Sequence, residues 1–167
     1  ADAPISLNDG GEEITVSVQE FLIGTAASEL PPDWPDDAVL AQMTAAHSYA
    51  LSLGGAAFTC NSAQCAGWTS AEVLRARWGG DFAAYYSRLA ALADEVSGAV
   101  LCWDGAPAAA CYHSSCAGQT EASQNVWLTA VPYLQGVVSP WDADAPGFET
   151  SVTYSAEQVY TILTGLG

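Results

Sequence analysis

The stretch that decides the fold covers residues 17–53 and reads SVQEFLIGTAASELPPDWPDDAVLAQMTAAHSYALSL. Two helical patterns are joined in it by an elbow rich in proline. Ser17 and Glu20 match a capping box, which marks the start of the first helix. Pro31 disfavours helical backbone at the residue before it. The first helix is therefore predicted to end near Glu29.

The second helix of this stretch is predicted to open at Trp34-Pro35 and to end before Gly54-Gly55. At a period of 3.6 residues, one of its faces is apolar, and the opposite face is small rather than charged. The apolar face consists of Val39, Met43, Ala46, Ala50 and Leu53. A helix that lacks a charged face is expected to be enclosed on most sides. We therefore predict an Ala-rich central helix here.

The rest of the chain reads as short alternating elements. Residues 1–12 are polar and contain glycines, which suggests a tail. Strands are predicted near residues 13–16, 56–59, 100–103, 108–113 and 151–154, and helices over residues 69–79, 81–96 and 155–165. Asp104-Gly105 is a strong two-residue hairpin signal. Without repeats or linkers, the sequence predicts one α+β domain over residues 13–167, with a small, mostly antiparallel sheet.

Composition excludes several classes of function. The 167 residues include 19 acidic and three basic side chains, and the formal net charge is -16. This charge argues against nucleic acid, whose phosphates call for Lys and Arg. No apolar run approaches the ~20 residues that span a bilayer. The charge also favours solubility outside the cell, and because the chain starts without Met or a leader-like segment, we expect a trimmed form.

Glu29 is the most distinctive carboxylate of the opening stretch. A carboxylic acid that donates a proton at neutral pH must be kept in its protonated form. The negative end of a helix favours that form, and apolar neighbours can remove water from the group. Those neighbours in the sequence are Phe21, Leu22, Leu30 and Trp34. From its position alone, a solvated residue at a helix end is the favoured interpretation of Glu29, and a catalytic acid and base is the alternative hypothesis.

The densest cluster of polar side chains, YHSSCAGQTE, follows a predicted strand at residues 112–121. Such a segment is typical of a binding loop. His113, Ser114 and Cys116 also suggest a serine or thiol nucleophile. The sequence shows no charged group that would orient the histidine, so a hydrogen-bonding loop is the favoured interpretation.

Five cysteines do not define a disulfide framework, because their number is odd. Cys60 and Cys65 have a spacing compatible with a local disulfide or with half of a zinc site. The chain offers few further zinc ligands, so a bridge or free thiols are favoured, and neither metal nor cofactor is predicted. In the predicted hairpin Cys102 faces Pro107, which leaves Cys111 too distant for a bridge.

Three ordered segments resemble the stage II sporulation protein D family, which includes amidase enhancers of the cell wall. The first is the helix–elbow–helix VQEFLIGTAASELPPDWPDDAVLAQMTAAHSYAL, and the second is the pair Cys60 and Cys65. The third is YHSSCAGQTEASQNVW followed by VPYLQGVVSPWD. Together they cover residues 13–145 in the family's order, and an ordered set is more specific than any single motif.

The resemblance implies a bacterial, cell-wall-associated lytic transglycosylase. Glu29 matches the family's catalytic Glu, which protonates the glycosidic bond between N-acetylmuramic acid and N-acetylglucosamine. The same group then takes the proton of the muramic C6 hydroxyl, and a 1,6-anhydro product forms. Because the sugar supplies the nucleophile, the second carboxylate of ordinary glycosidases is not needed. The implied partners are peptidoglycan glycan strands and a cell-wall amidase.

The resemblance also implies a set of substrate-binding residues. They are His47, Tyr49, His113, Ser114, Ser115, Gly118, Thr120 and Glu121. Taken by itself, His47 is by default a core or rim histidine of the central helix, with a ligand role as the alternative. The family usually has Arg at His47 and often a basic residue at Gln135. These two departures favour the alternative function, a non-catalytic module that binds glycan or enhances an amidase.

Overall fold

A computed structural model describes residues 3–59, 67–145 and 147–165. The fold is α+β, as predicted, and divides into two compact units, residues 1–112 and 113–167. The strands of the first unit are β1 (Ile5–Asp9), β2 (Glu12–Val16), β3 (Phe58–Thr59), β4 (Cys102–Trp103) and β5 (Ala106–Pro107). Its helices are α1 (Val18–Glu29), α2 (Asp36–Ser52), α3 (Ala71–Trp78) and α4 (Phe82–Val96), with a 3₁₀ turn at Gly79–Asp81. The second unit contains β6 (Gly118–Gln119), α5 (Ser123–Trp127), β7 (Val138–Ser139), a 3₁₀ turn at Pro140–Asp144 and α6 (Ala156–Thr164).

Residues 5–9 form a strand and not the predicted tail. β1 pairs with β2 antiparallel, from Ile5 opposite Val16 to Asp9 opposite Glu12, and with β3 parallel on its other side. Ile5 and Leu7 point into the core, and Gly10-Gly11 turns the hairpin with positive φ at both residues. The structural boundary therefore lies near the start of the chain rather than at residue 13.

Helix α1 forms where the capping box predicts it. The Ser17 hydroxyl accepts from the backbone N–H of Glu20, and the Glu20 carboxylate accepts from the backbone N–H of Ser17. The helix ends at Glu29, because the residue that follows is extended ahead of the prolines. Residues 21–27 are buried without interruption. α1 is therefore enclosed on all its sides along this stretch.

Helix α2 buries the face that its pattern predicts. Val39, Met43, Ala46 and Ala50 are buried, together with His47 and Ser48. The helix was predicted to open at Trp34-Pro35. It begins at Asp36, and Pro35 is its N-cap residue. The face opposite is partly covered, which agrees with its small side chains. In the described part of the chain, no helix has both the length and the apolar character needed to cross a bilayer.

The predicted hairpin is present in the predicted register. Asp104 and Gly105 both have positive φ, and Cys102 faces Pro107. Of the predicted strand at residues 100–103 only Cys102–Trp103 forms, and the prediction of a strand at residues 108–113 is wrong, because the second strand lies at Ala106–Pro107. The predicted register is confirmed, and it places Pro107 rather than Cys111 opposite Cys102.

Two further predictions need correction. The helix predicted to begin at residue 69 begins at Ala71, and its cap is Ser70, whose hydroxyl accepts from the backbone N–H of Val73. The strand predicted at residues 151–154 is not formed, and no strand of the described structure pairs with these residues. The final helix is confirmed, with a complete capping box between Ser155 and Gln158.

Candidate active site

Glu29 is the last residue of α1, as the sequence predicts. Its side chain is exposed. The expected apolar enclosure is therefore absent, because Phe21 and Leu22 are fully buried in the core instead of covering the carboxylate. The helix presents Glu29 at the surface from a rigid, buried support.

A backbone amide from a distant segment holds the carboxylate. The N–H of Gly67 donates to Oε1 of Glu29 at 2.7 Å, across 38 positions of sequence. A Cβ added at Gly67 would lie 3.0 Å from Cβ of Ser28. A Cβ at that distance would be tighter than most real contacts, so a larger residue would require this backbone or Ser28 to shift by a few tenths of an ångström, which glycine avoids.

The residues after Gly67 dock along α1. The Thr69 N–H donates to the Gly24 carbonyl at 3.2 Å, and the Thr69 and Ser28 hydroxyls are 2.7 Å apart. The indole N–H of Trp68 donates to a carbonyl of the first helical turn, that of Glu20, at 3.3 Å. These bonds fix residues 67–69 as a strap that covers one side of α1, and the strap places the Gly67 amide.

The strap requires a glycine in the middle of α1. A Cβ at Gly24 would lie 2.3 Å from Nε1 of Trp68 and 2.8 Å from the Thr69 carbonyl oxygen. Both distances are far inside van der Waals contact, so only glycine allows the strap to approach. Gly24 therefore allows the strap to lie against α1, and the strap places the Gly67 amide beside Glu29.

Two arginines hold the end of α1 and the elbow after it. Arg77 donates to the Ala27 carbonyl at 3.1 Å, which places a cation at the negative end of the helix. Arg88 donates to the carbonyls of Pro32 and Trp34 at 2.5 and 2.6 Å and forms an ion pair with Asp36. Sequence analysis missed both roles, since the partners are backbone carbonyls that carry no signal of their own.

His47 and Tyr49 lie on α2. His47 is 4 % exposed, which favours the core role over contact with a glycan. Tyr49 is half-buried, and its ring lies edge-on to Phe58 at 6.2 Å. Both residues help to pack the core around α1.

In the second unit, β6 and β7 organise the loop that was predicted to bind glycan. Gly118 faces Ser139 in this ribbon, and Gly118 has a φ of 88°, which favours glycine. Thr120 extends the pairing: its N–H donates to the Val137 carbonyl, and its hydroxyl accepts from the Val137 N–H. The loop is therefore a fixed turn.

Glu121 is tied to the start of α5. Its Oε1 accepts from the Asn125 amide at 2.6 Å and from the Ala122 N–H at 2.9 Å. These hydrogen bonds, that of Asn125 foremost, lower the pKa of the Glu121 carboxyl. Glu121 is held as a carboxylate that shapes the loop.

The start of the loop brings together His113, Cys116 and Asp142. One ligand atom of each lies within 4.8 Å of those of the others. The Cys116 N–H donates to Oδ2 of Asp142 at 2.6 Å. This bond, together with a hydrogen bond from the Cys116 thiol and the charge of His113, lowers the pKa of the Asp142 carboxyl. Sequence analysis missed Asp142 as a partner, because it lies 26 positions from Cys116.

Ser114 and Ser115 are exposed next to this cluster. The Cys116 thiol donates to the Ser139 carbonyl at 3.5 Å. No hydrogen bond joins Cys116 to His113 among the described residues, so the pairing of nucleophile and base is not formed. Cys60 and Cys65, the predicted bridge, lie outside the described residues.

The first unit is thus an α+β scaffold that presents one carboxylate at the end of a buried helix, and the second unit carries a polar loop. The model of the stage II sporulation protein (SpoIID) family matches residues 11–103, more than half of the chain. The chain belongs to this family, as the resemblance indicated.

Curated relatives agree with this assignment. The chain is 29 % identical over 159 residues to stage II sporulation protein D of Bacillus subtilis (strain 168), covering 86 % of this chain and 44 % of the relative. Its counterpart in Bacillus amyloliquefaciens is 28 % identical over 156 residues, with the same coverage. The amidase enhancer of Bacillus subtilis is 30 % identical over 141 residues, covering 84 % of this chain and 18 % of the relative. The chain spans less than half the length of these relatives.

Proposed function

We propose that this chain carries the catalytic Glu of a peptidoglycan lytic transglycosylase at the bacterial cell wall. The observation that carries the proposal is the exposed Glu29 carboxylate at the end of a buried helix, with Oε1 held by the Gly67 amide at 2.7 Å. Family membership supports it, because relatives are named for sporulation and for the enhancement of an amidase.

The amide determines which carboxylate oxygen acts. A backbone N–H can only donate, so Oε1 of Glu29 remains an acceptor whether or not the carboxyl is protonated. The transferable proton therefore belongs on Oε2. Within the described ranges Oε2 accepts no hydrogen bond, and we assign the contact with substrate to this oxygen.

One carboxyl then serves both halves of the reaction. The Oε2 proton of Glu29 passes to the glycosidic oxygen as the bond from that oxygen to C1 of N-acetylmuramic acid breaks. The C6 hydroxyl oxygen bonds to C1, and its proton returns to Oε2. The products are a 1,6-anhydro-muramic end and a free N-acetylglucosamine end, and Glu29 is regenerated without a second carboxylate.

The exposed part of the polar loop supplies hydroxyl and imidazole groups for a glycan. We assign contact with sugar to His113, Ser114 and Ser115, which are exposed. Thr120 and Glu121 hold the shape of the loop through their own hydrogen bonds. His47 is left out of the contact set because it is buried.

The test is product analysis on defined glycan. The chain is incubated with peptidoglycan glycan strands, with and without stem peptides, and the ends are identified by mass spectrometry. Wild type should generate 1,6-anhydro-muramic ends, and Glu29→Gln should generate none, because an amide neither donates nor accepts the proton. Glu95→Gln is the matched control, since Glu95 is also exposed in the last turn of a helix, and it should match wild type. Equal product from Glu29→Gln would refute the assignment.

The second candidate is a non-catalytic module that binds glycan or enhances an amidase. The similarity to the amidase enhancer favours it, as does the absence of a cation at His47 and Gln135. In the same experiment, wild type would bind glycan in a sedimentation assay and generate no anhydro ends. Stimulation of a cell-wall amidase by both wild type and Glu29→Gln would then identify this function.

A further inference from the structure

The cluster at His113, Cys116 and Asp142 is the strongest chemical feature away from Glu29. It combines an imidazole nitrogen, a thiol sulfur and a carboxylate oxygen within 4.8 Å of one another. Cys116 and Asp142 are half-buried, and His113 is exposed. The cluster is therefore open to solvent at His113, whereas the surrounding backbone partly covers Cys116 and Asp142. We call the side of Cys116 and Asp142 the supported side.

The backbone builds the supported side. β6 and β7 pair Gly118 with Ser139, so the turn that carries Cys116 lies beside the 3₁₀ turn Pro140–Asp144. The Cys116 N–H fixes Asp142 at 2.6 Å, and its thiol reaches the Ser139 carbonyl at 3.5 Å. A ligand oriented by hydrogen bonds of this kind loses little freedom when it binds a metal.

We propose that His113, Cys116 and Asp142 bind a zinc ion. Nitrogen, sulfur and oxygen of these side chains are the ligand types of zinc, and three protein ligands leave a fourth position for water or a substrate oxygen. Ligand atoms around zinc lie about 3–4 Å apart, so the cluster must contract by about 1 Å. Rotation of the exposed His113 side chain can supply that movement.

The charges of the ligands also favour zinc binding. Coordination replaces the thiol proton of Cys116 by the metal, and the proton leaves to solvent. The resulting thiolate and the Asp142 carboxylate together balance the two charges of zinc. Without a cation, a thiolate beside this carboxylate would be repelled, which weighs against a nucleophilic role for Cys116. The chain's net charge of -16 attracts cations in general.

The zinc site shares His113 with the proposed sugar contacts, but zinc binding does not depend on the transglycosylase reaction. Sequence analysis considered zinc only at Cys60 and Cys65, because Asp142 could not be connected with Cys116 by spacing. Zinc binding is measured without glycan, so the two proposals fail separately.

The first experiment counts zinc on the full chain. Purified protein is stripped with a chelator and dialysed against zinc, and bound metal is measured by mass spectrometry of the element. Cys116→Ser and Asp142→Asn should each lose one equivalent relative to wild type, whatever the other cysteines bind. Because even outer-shell partners of metal ligands contribute about 10- to 100-fold to affinity, a lost ligand should weaken binding by at least about tenfold. Cys102→Ser and Asp144→Asn are matched controls on an exposed thiol and an exposed carboxylate of the same 3₁₀ turn.

The second experiment needs no substitution and therefore no folding control. Alkylation of each cysteine is followed by peptide mass spectrometry with and without zinc. Zinc should slow the alkylation of Cys116 at least tenfold, roughly the occupancy ratio that tight coordination implies, and leave Cys102 unchanged. Equal zinc content in wild type and Cys116→Ser, or equal labelling of Cys116 with and without zinc, would overturn the site.

Discussion

Replacement of Gly24 by Ala separates the effect of helix propensity from the effect of the strap. In an exposed helix interior, Ala is about 0.8–1.0 kcal/mol more favourable than Gly, so propensity alone predicts a more stable protein. The structure predicts the opposite sign. The new Cβ would lie 2.3 Å from Nε1 and 2.5 Å from Cδ1 of Trp68, and 2.8 Å from the Thr69 carbonyl oxygen.

The size of the loss follows from what must move. Because the closest contacts include a backbone oxygen, the strap has to withdraw from α1 rather than rotate one side chain. Withdrawal breaks the Thr69–Gly24 backbone bond and the Thr69–Ser28 hydroxyl pair, each of which contributes about 1 kcal/mol. Overpacking adds about 1–3 kcal/mol. After the gain in propensity, Gly24→Ala should lower the free energy of unfolding by about 2–4 kcal/mol.

Urea unfolding at equilibrium measures this difference. The control is Gly98→Ala, because a Cβ there would meet nothing within 4 Å and φ is not positive. The control should change stability by no more than about 0.5 kcal/mol. A Gly24→Ala protein as stable as wild type, or more stable, would refute the reasoning.

The same variant tests whether the strap positions Glu29. Displacement of the strap removes the Gly67 amide from Oε1, so transglycosylation should fall in Gly24→Ala at temperatures where the variant is still folded. Gly98→Ala should retain the rate of wild type. If Gly24→Ala were less stable but turned over normally, the Gly67 contact would not matter for catalysis.

Two further substitutions test local supports of α1 and the elbow. Ser17→Ala should lower the free energy of unfolding by about 1 kcal/mol at neutral pH. Hydrogen bonds from the Ser17 hydroxyl and N–H lower the pKa of Glu20 below 4.5, so their contribution is present above that pH and is lost as the pH falls through the folded-state pKa. The difference between wild type and variant in urea titrations should therefore shrink as the pH falls below 4.5 and through the folded-state pKa of Glu20. Arg88→Lys should cost about 1–3 kcal/mol, because one ammonium group cannot reach the carbonyls of Pro32 and Trp34 together; an unchanged midpoint of thermal unfolding would contradict this clamp.

Local backbone chemistry could be predicted from the sequence. The capping box at Ser17 and the prolines after Glu29 gave the bounds of α1, and Asp104-Gly105 gave both the hairpin and its register. In each case, the cause and the effect lie within a few residues of each other. Such local signals can be recognised in the sequence because the energetics of caps and turns depend little on the rest of the fold.

Elements that depend on distant partners were harder to predict. Ile5 and Leu7 alternate with polar residues ahead of Gly10-Gly11, which is a hairpin signal hidden by the polar composition of the segment. The strand exists because β2 and β3 pair with it on both sides. Residues 151–154 show the converse, since strand propensity without a neighbouring ladder forms no strand in the described structure.

The same distinction between local signals and contacts of distant residues applies to the candidate site. The position of Glu29 at a helix end was predictable, whereas its contact with Gly67 spans 38 positions and the contact of Cys116 with Asp142 spans 26. Both contacts use a backbone N–H, and every residue except proline offers one. No pattern of side chains identifies such a donor in advance.

The proposed reaction requires a single carboxylate to serve two proton transfers, and the restraints around Glu29 suit that requirement. An acid that later acts as base must keep one geometry through both steps, since a misplacement of about 1 Å can cost about a hundredfold in rate. The buried span of α1 fixes the helix, Arg77 holds its last turn, and the Gly67 amide fixes Oε1. Oε2 is the oxygen of Glu29 to which no described residue donates a hydrogen bond. In the proposed reaction, the core thus fixes the position of the carboxyl group, and Oε2 carries the proton.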